Sequence, residues 1–373
     1  MVTDQTWSQL LAGLTSVTWQ SLVMIAIGCL LIWLAIAREY EPLLLLPIGA
    51  GAILTNLPLS PLVGEDGMLS ILYNIGVGNE LFPLLIFIGI GAMTDFGPLL
   101  ENPRMVLLGA AGQFGIFLTL ILALLLGFSR EEAASIGIIG AIDGPTSIYV
   151  SGILAPHLLG PITVAAYSYM ALVPIIMPPV MRLLTTKEER AIRMPYSQRQ
   201  ISQRTRILFP IVVTIVVGTL VPFATPLIGC LMLGNLMRES KVVERLTQAS
   251  SNELANIVTL FLGLAIGSTM GGEAFLKPST LAILGLGLLA FVLDTAAGVL
   301  FGKIMNFFSG GKFNPLIGAA GISAFPMAAR VVQKEASRED YSNFVLMHAM
   351  GANAAGQVAS VVAGGVLLAL MAG

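Results

Sequence analysis

Charge is what this sequence lacks most. Lys and Arg number 19 and Asp and Glu 21, together 11% of 373 residues, against roughly 25% in soluble domains. So few side chains cannot give a chain of this length a charged skin. A soluble enzyme, a nucleic-acid binder and a disordered chain are therefore excluded. The net charge of −2 offers no electrostatic reason for an anionic partner. Cysteine is nearly absent as well. Cys29 and Cys230 both lie in apolar runs and read as small buried hydrophobes, with neither disulfide nor metal spacing. His157 and His348 are the only histidines and stand far apart, so no transition-metal site is expected. Gly302-Lys303 and Gly311-Lys312 are not followed by Ser or Thr, which leaves no phosphate-binding loop.

What the chain has instead is apolar length: 56% hydrophobic residues, a mean hydropathy of +0.88 and 40 glycines. A spanning helix needs about 20 mainly apolar residues, and such runs recur. Spans are expected near 16–38, 41–56, 80–97, 104–127 and 158–183, then 207–222, 225–237, 253–271, 278–302 and 341–371. The first run follows an N-terminus without Lys or Arg and is long enough to span, so no cleavable leader is expected. Two further apolar segments, 131–156 and 313–335, are interrupted by Gly140–Ser147 (GAIDGPTS) and Asn314–Pro326 (NPLIGAAGISAFP). Pro and Gly break the backbone ladder there, and in a bilayer such a break survives only inside protein or beside a water-filled cavity.

The order of pieces repeats. Leu44–Asn56 resembles Pro226–Met237, Leu84–Gly97 resembles Val258–Gly272, and Met105–Leu126 resembles Leu281–Ile304. The two broken segments then correspond. This pattern points to an all-α polytopic membrane protein of two repeats, 1–184 and 207–373, joined by a basic cytoplasmic connector, 185–206. With each broken segment re-entrant, each half crosses about five times and the halves run in opposite directions. An external N-terminus then puts 17 of 19 basic residues on the cytoplasmic side, leaving Arg130 and Lys277 outside, as the positive-inside rule asks. The connector reads as a solvated link or as a docking surface for a soluble partner.

Carboxylates within the apolar runs are few: Asp95, Asp143 and Asp294. Each costs at least about 2.5–3.5 kcal/mol at mid-membrane and is a functional candidate by default. Asp143 stands at the first break, with Gly144 and Pro145 freeing carbonyls and Thr146 and Ser147 offering hydroxyls. An all-oxygen cluster suits a hard monovalent cation such as Na+; a helix cap is the structural alternative. At the second break Asn314 and Ser323 offer neutral oxygens, and Gly318 and Gly321 allow close backbone approach. Asn353 adds an amide within a small-residue span. Inverted repeats would bring the breaks together and put Asp143, Asn314, Ser323 and Asn353 around one cavity. Arg330 is suited to an anionic carboxylate group, or serves as an ordinary cytoplasmic anchor. Asp95 lies where capping or pairing with a basic loop is equally reasonable. Tyr169 is a candidate proton donor or ligand, although aromatics in such helices more often pack.

Five stretches carry a resemblance: Phe87–Arg104 (FIGIGAMTDFGPLLENPR), Gly137–Gly152 (GIIGAIDGPTSIYVSG), Ala165–Glu189 (AAYSYMALVPIIMPPVMRLLTTKEE), Asn314–Val331 (NPLIGAAGISAFPMAARV) and Asn343–Gly356 (NFVLMHAMGANAAG). Over nearly its whole length the chain resembles the β subunit of the bacterial sodium-pumping biotin-dependent decarboxylases. Those enzymes act on oxaloacetate, methylmalonyl-CoA or glutaconyl-CoA. The resemblance implies a membrane subunit that decarboxylates carboxybiotin presented by a partner, consumes a proton and exports Na+. It implies Na+ and proton coupling at Asp143, with Tyr169, Asn314, Gly318, Ser323, Arg330 and Asn353 matching further functional positions. Asp143, Tyr169 and Arg330 are then expected to carry the chemistry. Asp143, Thr146, Asn314, Ser323 and Asn353 are expected to hold Na+, and Gly144 and Gly318 to allow close approach. An elevator-like core and scaffold is implied, as are a carboxyltransferase subunit, a biotin carrier protein, a small membrane-anchor subunit and a homo-oligomer in the bacterial cytoplasmic membrane. None of the six lysines stands in a Met-Lys-Met context, so the biotin is expected on a partner. The chain's shortness favours an acyl-CoA decarboxylase such as the methylmalonyl-CoA enzyme. A secondary Na+-coupled carboxylate transporter is the alternative that the inverted repeats and Arg330 also fit.

Overall fold

The computed structural model describes residues 12–195 and 201–372. Part of the expected connector and the extreme N-terminus lie outside the described residues. The first half holds α1 (Trp19–Arg38), α2 (Pro42–Asn56), α3 (Leu81–Met93), α4 (Met105–Ala111), α5 (Phe114–Leu125), α6 (Arg130–Gly137), α7 (Gly144–Leu154), α8 (Leu159–Ala171) and α9 (Val173–Leu184). The second holds α10 (Gln203–Leu220), α11 (Thr225–Ser240), α12 (Ala255–Ser268), α13 (Pro278–Phe308), α14 (Met327–Glu339) and α15 (Leu346–Met371). Among the described residues, six helices are long and apolar enough to cross a membrane, and up to eight if two bent pairs count as spans. The chain is thus a multi-pass helical membrane protein.

Several expected spans take another form. Those near 41–56, 80–97 and 225–237 are helices of 15, 13 and 16 residues. At about 1.5 Å per residue they fall short of a hydrocarbon core roughly 30 Å thick. The span near 158–183 bends by 68° between α8 and α9. The one near 104–127 is met by a single apolar span, Met105–Leu125, with a turn at Gly112-Gln113, where the Gln113 amide turns back to the Gly109 carbonyl and across to that of Gly321, 3.2 Å each. A helix over Met68–Val77, bent 62° from α3, was not expected from the sequence.

Short helices need polar fastenings where their ends meet inside the protein. Asn56, the last residue of α2, donates to the Met270 carbonyl (2.8 Å) and accepts from the Gly272 N–H (2.9 Å), just beyond α12. Asn235 of α11 donates to the Thr94 carbonyl, 3.0 Å away, at the end of α3. So α2 is fastened to α12 and α11 to α3. These are the same crosswise pairs in which helices of one sequence match meet partners of the other.

The broken segments are hairpins. In the first, Ser129 and Glu132 form a capping box at the start of α6. The second Glu132 oxygen meets His157 at 2.9 Å, just past the end of α7, and so joins the two legs. The second hairpin runs through the 3-10 turns Pro315–Gly321 into α14, and the end of α9 together with the connector grips its open end. Arg182 forks onto Glu335 (2.6 and 2.7 Å), Arg190 pairs with Glu339 (2.6 Å) and Arg193 with Asp340 (2.6 Å). The Arg193 guanidinium and then Ser342 hold the Asp340 carboxyl down to about 2. Arg190 is only 6% exposed and also donates to the Thr185 carbonyl at 2.7 Å. Arg190→Ala leaves Glu339 and that carbonyl unpaired and should cost about 1–3 kcal/mol of stability. The exposed Arg193→Ala should cost less than about 1 kcal/mol. Thermal unfolding of the two variants in detergent checks this, and equal shifts would contradict it.

Candidate functional site

The hairpins meet at their tips. The Ser323 N–H donates to the Ala141 carbonyl at 3.1 Å, joining the two breaks through the main chain. On the first tip Ile142 lies at φ +52°, a conformation that a β-branched residue adopts only under strain of about 1–3 kcal/mol. That turn aims the next residue, Asp143, across the start of α7. Pro145 sits in the first turn, where its missing N–H costs nothing.

Asp143 is 4% exposed and has no basic partner among the described residues. Hydroxyls and a single N–H surround it. The Thr146 hydroxyl and the Ser360 hydroxyl each donate to Oδ2 at 2.8 Å, and the Thr146 N–H reaches Oδ1 at 3.3 Å. The Ser147 hydroxyl donates to the Asp143 carbonyl at 2.8 Å. A cavity of about 340 Å³ opens against this carboxylate, lined also by Gly144, Tyr167, Ser323, Gln357 and, further out, Glu41. A buried carboxylate ringed by hydroxyls, with no basic side chain paired to it among the described residues, can accept a small hard cation. Gly144 is needed for the packing, because a Cβ there would run into the Tyr167 ring.

The expected residues divide into those at the cavity and those behind it. Asp143, Gly144 and Ser323 line it; the Ser323 hydroxyl is turned to the Gly356 carbonyl, 2.9 Å away. Thr146 is bonded to the carboxylate. Asn353 stands behind the second tip, donating to the Ile322 carbonyl at 2.7 Å, with its Oδ1 unpaired. Gly318 presses against Gly298 of α13. Arg330 lies one turn past Pro326, which lines the cavity, and its N–H reaches the Pro326 carbonyl at 3.3 Å. Its side chain is exposed, with no hydrogen bond or ion pair among the described residues.

Two residues do not join the cavity. The Tyr169 hydroxyl donates to the Leu284 carbonyl at 2.5 Å, fastening α8 to α13. Asn314 lies at the far end of its hairpin leg. Its amide donates to the Arg190 and Ile192 carbonyls at 2.9 Å each, and its Oδ1 takes the Leu316 N–H. Asn343 donates to the same two carbonyls. Of the four residues expected around one cavity, then, Asp143 and Ser323 line it, Asn353 is one hydrogen bond back, and Asn314 straps the connector. Asp95 pairs with Arg206 (3.4 Å) and Arg238 (3.7 Å). Asp294, fully buried, accepts the Gly115 N–H at the start of α5, with its other oxygen against Gly140.

Sequence reasoning missed Tyr167, Gln357 and Ser360. A signal existed for two of them. Asn353, Gln357 and Ser360 stand at i, i+4 and i+7 in an otherwise small and apolar helix, a polar stripe on one face. Tyr167 could not be told from Tyr169 by spacing, because the packing of α8 against α13, where Tyr169 bonds to the Leu284 carbonyl, decides which ring faces the cavity.

Comparison with known proteins gives the family. The family model described as Na+-transporting oxaloacetate decarboxylase beta subunit matches residues 20–371. The chain is 53% identical over 360 residues to the methylmalonyl-CoA decarboxylase subunit beta of Veillonella parvula, covering 96% of this chain and 95% of that one. It is 52% identical over 362 residues to the glutaconyl-CoA decarboxylase subunit beta of Acidaminococcus fermentans, covering 97% and 96%. With the oxaloacetate decarboxylase beta chain of Klebsiella pneumoniae the identity is 49% over 407 residues, covering 93% and 94%.

Proposed function

Because the chain belongs to the family of β subunits of Na+-transporting decarboxylases, we propose that it decarboxylates carboxybiotin brought by a partner subunit and couples that step to Na+ export. The observation that carries this reading is the buried Asp143 carboxylate, free of any cationic partner among the described residues, at the floor of a cavity that ends one helical turn from the unpaired Arg330. Loss of CO₂ from the ring nitrogen of carboxybiotin breaks the N–C bond and leaves the electron pair on nitrogen, which takes up one proton. Arg330 holds the carboxylate of the incoming group, and Asp143 with Thr146, Ser323 and Asn353 provides oxygens for Na+. Tyr169 and Asn314 support this set from behind, through α13 and the connector.

The crosswise fastening of α2 to α12 and α11 to α3, and the meeting of the hairpin tips, are what two inverted repeats would give. The buried apolar side chains also sort into two clusters that meet along the cavity, with Leu44 and Ile86 on one side and Ile142 on the other. That division supports an elevator-like core moving against a scaffold. With the basic face cytoplasmic and the N-terminus outside, the cavity opens inward in a bacterial cytoplasmic membrane, towards a carboxyltransferase, a biotin carrier and a small anchor subunit.

The acid favoured is an acyl-CoA ester. Alignments with two methylmalonyl-CoA relatives run 360 and 374 residues and that with the glutaconyl-CoA relative 362, whereas that with the oxaloacetate relative runs 407. Residues present inside the oxaloacetate subunit are therefore missing here. Purified with its partners, the complex is expected to release CO₂ from methylmalonyl-CoA or glutaconyl-CoA faster than from oxaloacetate, and only with Na+ present. Faster release from oxaloacetate would reverse the choice of acid. Na+ transport driven by a carboxylate gradient without any biotin protein would favour a carrier.

A further inference from the structure

The cation site has a wall that the two hairpins do not provide. In α15, Asn353, Gln357 and Ser360 share one face, and each touches a different part of the joined tips. Asn353 holds the Ile322 carbonyl, Gln357 Nε2 holds the Ser323 carbonyl, and the Ser360 hydroxyl holds Asp143 Oδ2 at 2.8 Å. One helix therefore grips both breaks.

The hydrogen-bond accounting then leaves specific oxygens over. Asp143 Oδ2 already accepts two hydroxyls, whereas Oδ1 accepts only the longer bond from the Thr146 N–H at 3.3 Å. Gln357 is 3% exposed and lines the cavity, and its Oε1 has no hydrogen-bond partner. The amide cannot be turned round, because a carbonyl oxygen facing the Ser323 carbonyl would repel it. The Tyr167 hydroxyl, 2% exposed in the same cavity, is also unpaired. Buried oxygens without partners are costly and call for an absent ligand. Here they line one cavity together with a carboxylate, a set that suits a small monovalent cation.

We propose that α15 completes the cation site: Gln357 Oε1 is a direct ligand of the transported ion, and Ser360 is a positioning residue that orients Asp143. This rests on the reading of Asp143 as the sodium carboxylate. Because Gln357 and Ser360 grip opposite tips, an ion bound between Asp143 and Gln357 adds a further tie between the joined hairpins and α15.

The test is the Na+ activation curve of decarboxylation by the whole complex, with Ser360→Ala, Ser360→Thr and Gln357→Met, using Na+ as the probe. Ser360→Ala and Gln357→Met are expected to raise the half-saturating Na+ concentration about tenfold, whatever the change in the rate at saturating Na+. Ser360→Thr should restore the wild-type value, since it keeps the hydroxyl. Variants whose maximal rate or melting temperature falls while the half-saturating concentration stays put would reduce both residues to packing and overturn the proposal. Asp143→Asn, run alongside, separates the two failures. If it keeps a normal Na+ dependence, the carboxylate reading fails. If it alone loses that dependence, the α15 proposal fails.

Discussion

Asp143→Asn is expected to abolish both Na+ transport and Na+-stimulated decarboxylation in the assembled complex. Asparagine has the same shape, and its amide oxygen in the Oδ2 place can still accept from the Thr146 and Ser360 hydroxyls, at the loss of the long bond from the Thr146 N–H, so the protein keeps its fold. What disappears is the charge. In a site 4% exposed, a neutral amide at this position cannot offset the lost hydration of a cation. A deficit of about 3 kcal/mol or more, at least a hundredfold in affinity, follows. Release of CO₂ and uptake of radioactive Na+ into proteoliposomes give separate readouts. Both should vanish at Na+ concentrations that saturate the wild type, while the complex still elutes as a single species. A variant that still pumped Na+ normally would falsify the central assignment. CO₂ release at the full rate without Na+ uptake would limit Asp143 to transport and break the coupling argued here.

How much of this was legible in the sequence differs from residue to residue. The breaks were visible because Pro and Gly inside apolar runs have few other meanings, and Asp143 because a carboxylate in such a run has fewer still. Their meeting, made explicit by the Ser323 N–H on the Ala141 carbonyl, followed from the matched order of the halves. The strap role of Asn314 did not. An amide at the start of a break looks the same whether it faces an ion or the carbonyls of Arg190 and Ile192, and the connector that supplies those carbonyls lies more than a hundred residues away. Tyr167 and Tyr169 likewise differ only by two residues on a helix. Which of them reaches the cavity is set by the packing of α8 against α13, a tertiary fact with no local signal. Ser360 and Gln357 were within reach of a periodicity argument, since the stripe with Asn353 is regular.

Gly318→Ala is expected to have the second large effect, and at a distance. Gly318 and Gly298 face each other so closely that a Cβ on either would overlap the other's carbonyl. The atoms in the way are main chain, with no rotamer to change, so the second hairpin must move off α13. Overpacking of this kind costs about 1–3 kcal/mol where side chains yield, and more where backbone must. The consequence reaches the cation site through a short path. Gly318 is five residues before Ser323, and a shift of about 1 Å at that tip would stretch its 3.1 Å bond to Ala141 beyond hydrogen-bonding range. Asp143 is held by the same joined tips. Decarboxylation should therefore fall more than about tenfold, with a higher half-saturating Na+ concentration and a lower melting temperature. The control lies on the same helix. A Cβ at Gly285 of α13 would meet nothing within 4 Å, and alanine there favours the helix by about 1 kcal/mol. Gly285→Ala should melt no earlier than the wild type and work at its rate. If the two variants behaved alike, contact with Gly298 would not be what holds the second tip against the first. The Ser323–Ala141 bond would then need another support.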